Sequence, residues 1–274
     1  MRFYQLGEVR PPRDDDFMYF KEMAQDESHW KKSHIRKKIK VFTRVTEASN
    51  IKMIKVVANL QDISADVLYD TLHDPIYRSE WDATMKEGFQ ICQVAQDSVI
   101  EYYGLKAPFT FKNRDFVLHR SWRKFGSEYI IFNRSVFHKK VPPKPDYVRA
   151  LTYLTGYVIT STGPSSCEMI YITQNDPRGT IPAWAINLVA TSVAPSIMKS
   201  LHRAASHYPA WKAQHDPQFM PWRHQSQQSG LLPAVDMTDI LSEPDYARTT
   251  IDETNVDENA ARQACASDDV DNDL

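Results

Sequence analysis

Alternation of apolar and polar side chains dominates the middle of this chain. From about residue 88 to 174 it predicts strand after strand, clearest at 98–105, 114–123, 127–138, 147–160 and 166–174. These runs are rich in β-branched and aromatic residues with a period of two. Turn-forming stretches such as Val141-Pro142-Pro143-Lys144-Pro145-Asp146 separate them, so neighbours are expected to pair antiparallel. Two earlier runs, 39–45 and 51–59, read the same way. Helical spacing appears in three places. Phe17 to about Asp26 suits a short amphipathic helix. Val67, Leu68 and Leu72 share a face of a helix capped by Asp62 or Ser64 and running to about His73, where Pro75 interrupts it. Pro182 to Lys212 reads as a long helix with Pro182 in its first turn and an apolar stripe of Trp184, Leu188, Met198, Leu201 and Tyr208. Pro195 predicts a kink within it.

An α+β fold follows. One curved antiparallel sheet wrapped around the long C-terminal helix buries both apolar faces economically, and a cavity is expected where the helix crosses the mouth of the sheet. This folded body is assigned to residues 17–224. Residues 1–16, polar and proline-containing, are expected to form a flexible N-terminus. After Trp222 the composition turns to Gln, Ser and acidic residues, too poor in apolar surface to order itself, which predicts a disordered acidic tail over 225–274.

Charge sharpens that division. Residues 225–274 hold twelve Asp/Glu against two Arg, a balance of −10, so with a total of −2 the first 224 residues carry +8. Such a basic body suits transient contact with an anionic membrane surface, which the tail would weaken. No run approaches the length of a membrane span, and the N-terminus meets charge and prolines too early for a secretory signal. Three dispersed cysteines, Cys92, Cys167 and Cys265, indicate a reducing compartment and exclude a Cys-type zinc site. The expectation is a cytoplasmic monomer.

Two charged-aromatic blocks carry the candidate chemistry. One is Tyr77-Arg78-Ser79-Glu80-Trp81-Asp82, the other Lys112-Asn113-Arg114-Asp115-Phe116. Ions so near a β-rich core need partners, since an unpaired buried charge costs several kcal/mol. Arg78 and Asp82 stand four apart and can form an ion pair on one helical face. Either that pair is structural, or Asp82 orients Arg78 to grip a phosphate or carboxylate. For Asn113-Arg114-Asp115 the plainer reading is a cap at the start of a strand with Arg114 paired locally. Tyr102, Tyr103, Phe116, Trp122, Tyr153 and Tyr157 are mostly core, but a converging subset could cage a quaternary ammonium. The basic run 31–40 reads as a solvated strand or hairpin, without the other signs of a nucleic-acid module. There is no Gly-x-Ser-x-Gly elbow, phosphate-cradling glycine loop or His-Glu-x-x-His, and no metal or cofactor is expected.

The two blocks, followed by Ser161-Thr162-Gly163-Pro164 and Asp176-Pro177-Arg178-Gly179-Thr180-Ile181-Pro182-Ala183-Trp184, resemble a START lipid-transfer domain in the order and separations of its phosphatidylcholine transfer subgroup. Leu68-Tyr69-Asp70, Asp146-Tyr147-Val148-Arg149-Ala150 and Thr155-Gly156-Tyr157 narrow the likeness to one branch. The resemblance implies a helix-grip fold around a tunnel for one lipid. It also implies that Arg78 contacts a lipid phosphate, that Asp82 pairs with Arg78, and that Tyr103, Phe116 and Tyr153 surround choline. Tyr103 replaces a Trp of the pattern, Phe116 a Tyr, and Leu72 a further Tyr, which brings ethanolamine in beside choline. Intracellular phospholipid transfer between membranes is the leading expectation, and a lipid-sensing adaptor the second. An enzyme of the same fold lacks a nucleophile–base arrangement here. In the tail, Ser242-Glu-Pro-Asp245, Thr250-Ile-Asp-Glu253 and Thr254-Asn-Val-Asp257 resemble acidic-directed kinase sites. Phosphate there would weaken docking on anionic membranes.

Overall fold

The computed structural model describes residues 4–36, 39–47, 49–107, 111–182 and 194–242, with isolated positions between 255 and 263. Its centre is one ten-stranded sheet. The strands are β1 (Lys31–Arg36), β2 (Ile39–Thr46), β3 (Ser49–Leu60), β4 (Met85–Ala95), β5 (Ser98–Leu105), β6 (Asn113–Phe125), β7 (Glu128–Ser135), β8 (Tyr147–Arg149), β9 (Leu151–Gly163) and β10 (Ser166–Asp176). They run in the order β1-β2-β3-β10-β9-β7-β6-β5-β4. All of these neighbours pair antiparallel, while β8 joins the start of β6 in parallel. The basic run thus becomes an edge hairpin, where lysines discourage pairing with another chain.

Helix α1 (Asp14–Gln25) lies on one face of the sheet, where Phe17 and Phe20 bury against Ile130, Phe132 and Ile172. On the opposite face sit α2 (Ala65–His73), α3 (Pro75–Trp81) and α4 (Ala194–Lys212). There Leu68, Leu72, Met198 and Leu201 meet Val56, Ile131, Ile159 and Met169. Each fully buried aliphatic side chain contributes about 1.5–3 kcal/mol. Ser64 caps α2 as expected, its hydroxyl accepting from the Val67 N–H. Trp184, Leu188 and the kink expected at Pro195 lie outside the described residues or their described side chains.

Three expectations need correction. Pro75 does not simply stop a helix: it opens α3 at a position that needs no N–H, and Asp74 caps that helix with bonds to the Ile76 and Tyr77 amides (3.1 Å each). The N-terminus is not loose over residues 4–16, because Tyr4 is buried and Arg10 grips the buried Asp16 through both amino groups (2.8 and 2.7 Å). Nor is the tail unstructured from residue 225. Residues 233–235 bond to Gln93 on the outer edge of β4, and Val235 and Ile240 cover Cys92, Ile100 and Val136. Asp239 anchors this strap to Lys139 and Lys140 (2.6 Å each). Few apolar residues suffice because the strap needs no core of its own: it completes one exposed by the sheet.

Candidate functional site

Arg78 occupies the last turn of α3 and Asp82 caps its end. The helix is fixed from the other side: Asp74 receives Lys212 Nζ (3.1 Å) and the Tyr208 hydroxyl (3.2 Å) from α4, and the Tyr77 hydroxyl donates to the Ala204 carbonyl (2.8 Å). With Tyr77 committed to α4, Arg78 is turned toward the sheet.

There its Nε donates to Asp82 Oδ2 (3.1 Å), and its guanidinium lies over the Tyr103 ring at 4.8 Å. The Tyr103 hydroxyl donates to the same carboxylate oxygen (2.8 Å), and the Thr84 hydroxyl to Oδ1 (2.6 Å). Burial pushes the Asp82 carboxyl up, but the Arg78 charge and the bonds from Thr84, Tyr103 and Arg78 outweigh it and hold Asp82 below the ordinary carboxylate range. Burial raises Tyr103 to about 12, so its proton stays on to donate. Arg78 is set deep in the body, yet 28% of its side chain is accessible. Among the described residues only Asp82 accepts a hydrogen bond from it, through Nε. Arg78 lines a recess together with Leu72, Glu101, Tyr103, Arg120 and Trp122. A planar cationic fork with one edge committed and the other open suits a phosphate or carboxylate.

Of the sequence-derived set, Arg78, Asp82 and Tyr103 form one contacting group. Phe116 is the cross-strand partner of Tyr103 and shares its apolar cluster. Tyr153 lies on β9, partly buried, on the face it shares with Tyr157 by strand alternation. Tyr157, stacked on Tyr171 at 4.8 Å, is near enough to Arg78 to feel its charge, although burial is the larger influence and pushes the pKa of its hydroxyl up.

Sequence reasoning missed Thr84, Glu101 and Arg120. Arg120 is buried, donates to the Leu72 carbonyl (3.0 Å) and stands 3.8 Å from Glu101. Its signal was present: both are charged residues inside strands of otherwise apolar or aromatic inward positions. Thr84 gave none.

The second block is a structural knot. Arg114 donates to the carbonyls of Lys112 (2.6 Å), Pro177 (3.0 Å) and Arg178 (3.2 Å), so it ties the loop after β10 to β6. Asp115 is fully buried and accepts Arg149 through Nε and Nη2 at 2.9 Å each. The expected strand-entry cap with a locally paired Arg114 is corrected: Asp115 lies inside β6 and pairs with Arg149, and Arg114 reaches Pro177 and Arg178 as well as its neighbour Lys112.

A START domain profile matches residues 16–212. The chain belongs to the START domain family. START domain-containing protein 10 of Homo sapiens is 38% identical over 251 residues, which span 91% of this chain and 86% of the relative. Phosphatidylcholine transfer protein of Homo sapiens is 28% identical over 174 residues, 62% of this chain and 80% of the relative. The crystal structure of human STARD10 superposes with a TM-score of 0.80 at 38% identity, covering 85% of this chain and 94% of that one. The START helix-grip architecture expected from the motifs is therefore the observed one. The 225–242 strap lies beyond the matched domain and is part of the folded body nonetheless. Among the described residues no helix is long and apolar enough to cross a membrane, and no group of three or more His, Cys, Asp or Glu is placed to hold a metal.

Proposed function

We propose that this START protein binds one phospholipid and carries it between membranes. Arg78 holds the phosphate, Asp82 orients Arg78, and the aromatic positions Tyr103, Phe116 and Tyr153 face the choline, or ethanolamine, of the headgroup. The observation that carries the reading is the half-committed guanidinium of Arg78 at the lining of a recess. The relatedness to phosphatidylcholine transfer protein supports the same cargo. Burying acyl chains gains about 0.8 kcal/mol per CH₂ against water, but almost nothing against a bilayer. Selectivity must then come from the headgroup, where the charged residues are. Cytoplasmic residence, transient membrane contact and a monomeric state belong to the same proposal, as does an acidic-directed kinase acting on residues 242–257. If Ser242→Glu leaves liposome association unchanged at low salt, the kinase part is wrong.

The test is native mass spectrometry with lipid extraction on the full chain, wild type beside Arg78→Leu. One stoichiometric choline or ethanolamine phospholipid, lost in the variant, is the expected result. An empty wild type, or lipid retained equally by both, overturns the assignment and returns Arg78–Asp82 to a structural ion pair.

A further inference from the structure

The chain contains two Arg–Asp pairs with a tyrosine attached, and they close differently. In Arg149–Asp115 the guanidinium uses Nε and Nη2, one to each carboxylate oxygen, at 2.9 Å, while Tyr102 donates its hydroxyl to Oδ2 (3.1 Å). In Arg78–Asp82 the tyrosine is again present, with Tyr103 donating to Oδ2 (2.8 Å), but the arginine reaches Oδ2 through Nε alone (3.1 Å). The second oxygen, which in Asp115 also meets the guanidinium, here accepts instead from the Thr84 hydroxyl, 2.6 Å from Oδ1. Thr84 is not free to drift. Its carbonyl accepts the Lys106 N–H at the end of β5 (2.8 Å), and the Met85 N–H donates to the Asp82 carbonyl (2.9 Å), which sets the turn between α3 and β4.

We infer that Thr84 is a positioning residue that keeps the anion site open: its hydroxyl, fixed by the turn between α3 and β4, holds Asp82 Oδ1 toward that turn, so that the carboxylate is rotated to meet Arg78 through Oδ2 alone and the amino groups of Arg78 stay available for a ligand phosphate. The inference rests on the phospholipid reading of Arg78. A carboxylate offers two oxygens to a bidentate arginine, and fork-to-fork pairing is the stronger arrangement when both are available. Removing the hydroxyl without removing bulk leaves Oδ1 seeking a donor, and the nearest cation is Arg78. The fork then closes on Asp82 as Arg149 has closed on Asp115. Ligand binding must reopen it. A serine keeps the hydroxyl at the same position and keeps the site open.

The experiment uses the full chain with vesicles of phosphatidylcholine carrying a fluorescent phosphatidylcholine. It compares wild type, Thr84→Val, Thr84→Ser and Arg78→Leu for affinity and for the thermal midpoint of the lipid-free protein. Thr84→Val is expected to bind about three- to tenfold more weakly, with a thermal midpoint unchanged or raised, and Thr84→Ser to restore affinity. A merely structural Thr84 would lower midpoint and affinity together, and that result overturns the inference. So does wild-type affinity in Thr84→Val, or equal weakness in Val and Ser. The Arg78→Leu arm separates the two levels. If it keeps wild-type affinity, the phospholipid reading itself fails; if it loses the lipid while Thr84→Val does not weaken, only the role of Thr84 fails.

Discussion

The two charged-aromatic blocks look alike in sequence and do opposite work. Around Asp115 every strong donor and acceptor is answered by the protein: Arg149 closes on both oxygens and Arg114 ties three carbonyls. Around Asp82 the carboxylate is fully answered, but the arginine is not. The closed cluster contributes to stability and has nothing left for a ligand. The open cluster forgoes a second Arg–Asp contact and keeps a cation available inside the protein. What separates a site from a scaffold here is the completeness of the hydrogen bonding, not the residue types.

That contrast can be broken by experiment. The largest effect is expected at the closed knot: Asp115→Ala leaves Arg149 without its buried partner, and urea unfolding should show a loss of about 3–5 kcal/mol. A loss below about 1 kcal/mol would mean the knot is not what holds β6 to β8. Next comes Arg78→Leu, which should weaken phosphatidylcholine binding roughly ten- to a hundredfold, in line with a charge-assisted bond of about 1.5–3 kcal/mol, while the midpoint in urea falls less than in Asp115→Ala, because Thr84 and Tyr103 still donate to Asp82. Equal damage to stability and binding would erase the distinction between the two clusters.

Smaller still is the segment that leads into the strap. Trp222 and Arg223 both donate to Asp70 Oδ1 (2.8 and 2.5 Å), and Arg223 also reaches Asp66 (3.0 Å). Burial raises the Asp70 carboxyl even against the pull of Arg223. Arg223→Ala should therefore cost about 1–2 kcal/mol and speed proteolysis after residue 224, with lipid affinity little changed.

The smallest effect concerns pH. Burial holds His119 down at about 4, below its ordinary value. The unfolded chain takes up this proton near pH 6.5 and the native chain does not, so stability falls as pH drops from about 6.5 toward 4. At pH 6 the loss from this group is under about 1 kcal/mol, and His119→Gln should reduce, not abolish, that slope, because burial also lowers His73 and His138.

Much of the fold was legible along the chain because it is written in local terms. Period-two alternation marked β5, β6, β7, β9 and β10, and Ser64 marked the start of α2. The pairing of Arg78 with Asp82 followed from their spacing alone. Other features had no local signature. Pro75 opens a helix only because Asp74 stands before it, and Asp74 is held by residues of α4 more than a hundred positions away. The strap after residue 224 is too polar to fold by itself and is ordered by an edge and an apolar face that the sheet supplies. Thr84 is an unremarkable turn residue until Asp82 Oδ1 is seen beneath its hydroxyl.

By itself, then, the sequence determined the strands, the principal helices, the antiparallel sheet and the family, because periodicity, capping and short motifs act over a few residues. Only the tertiary structure decided which of two similar charged blocks stays open. That choice depends on donors brought to each carboxylate from distant segments, in a surrounding where an unanswered charge is costly and every hydrogen bond counts.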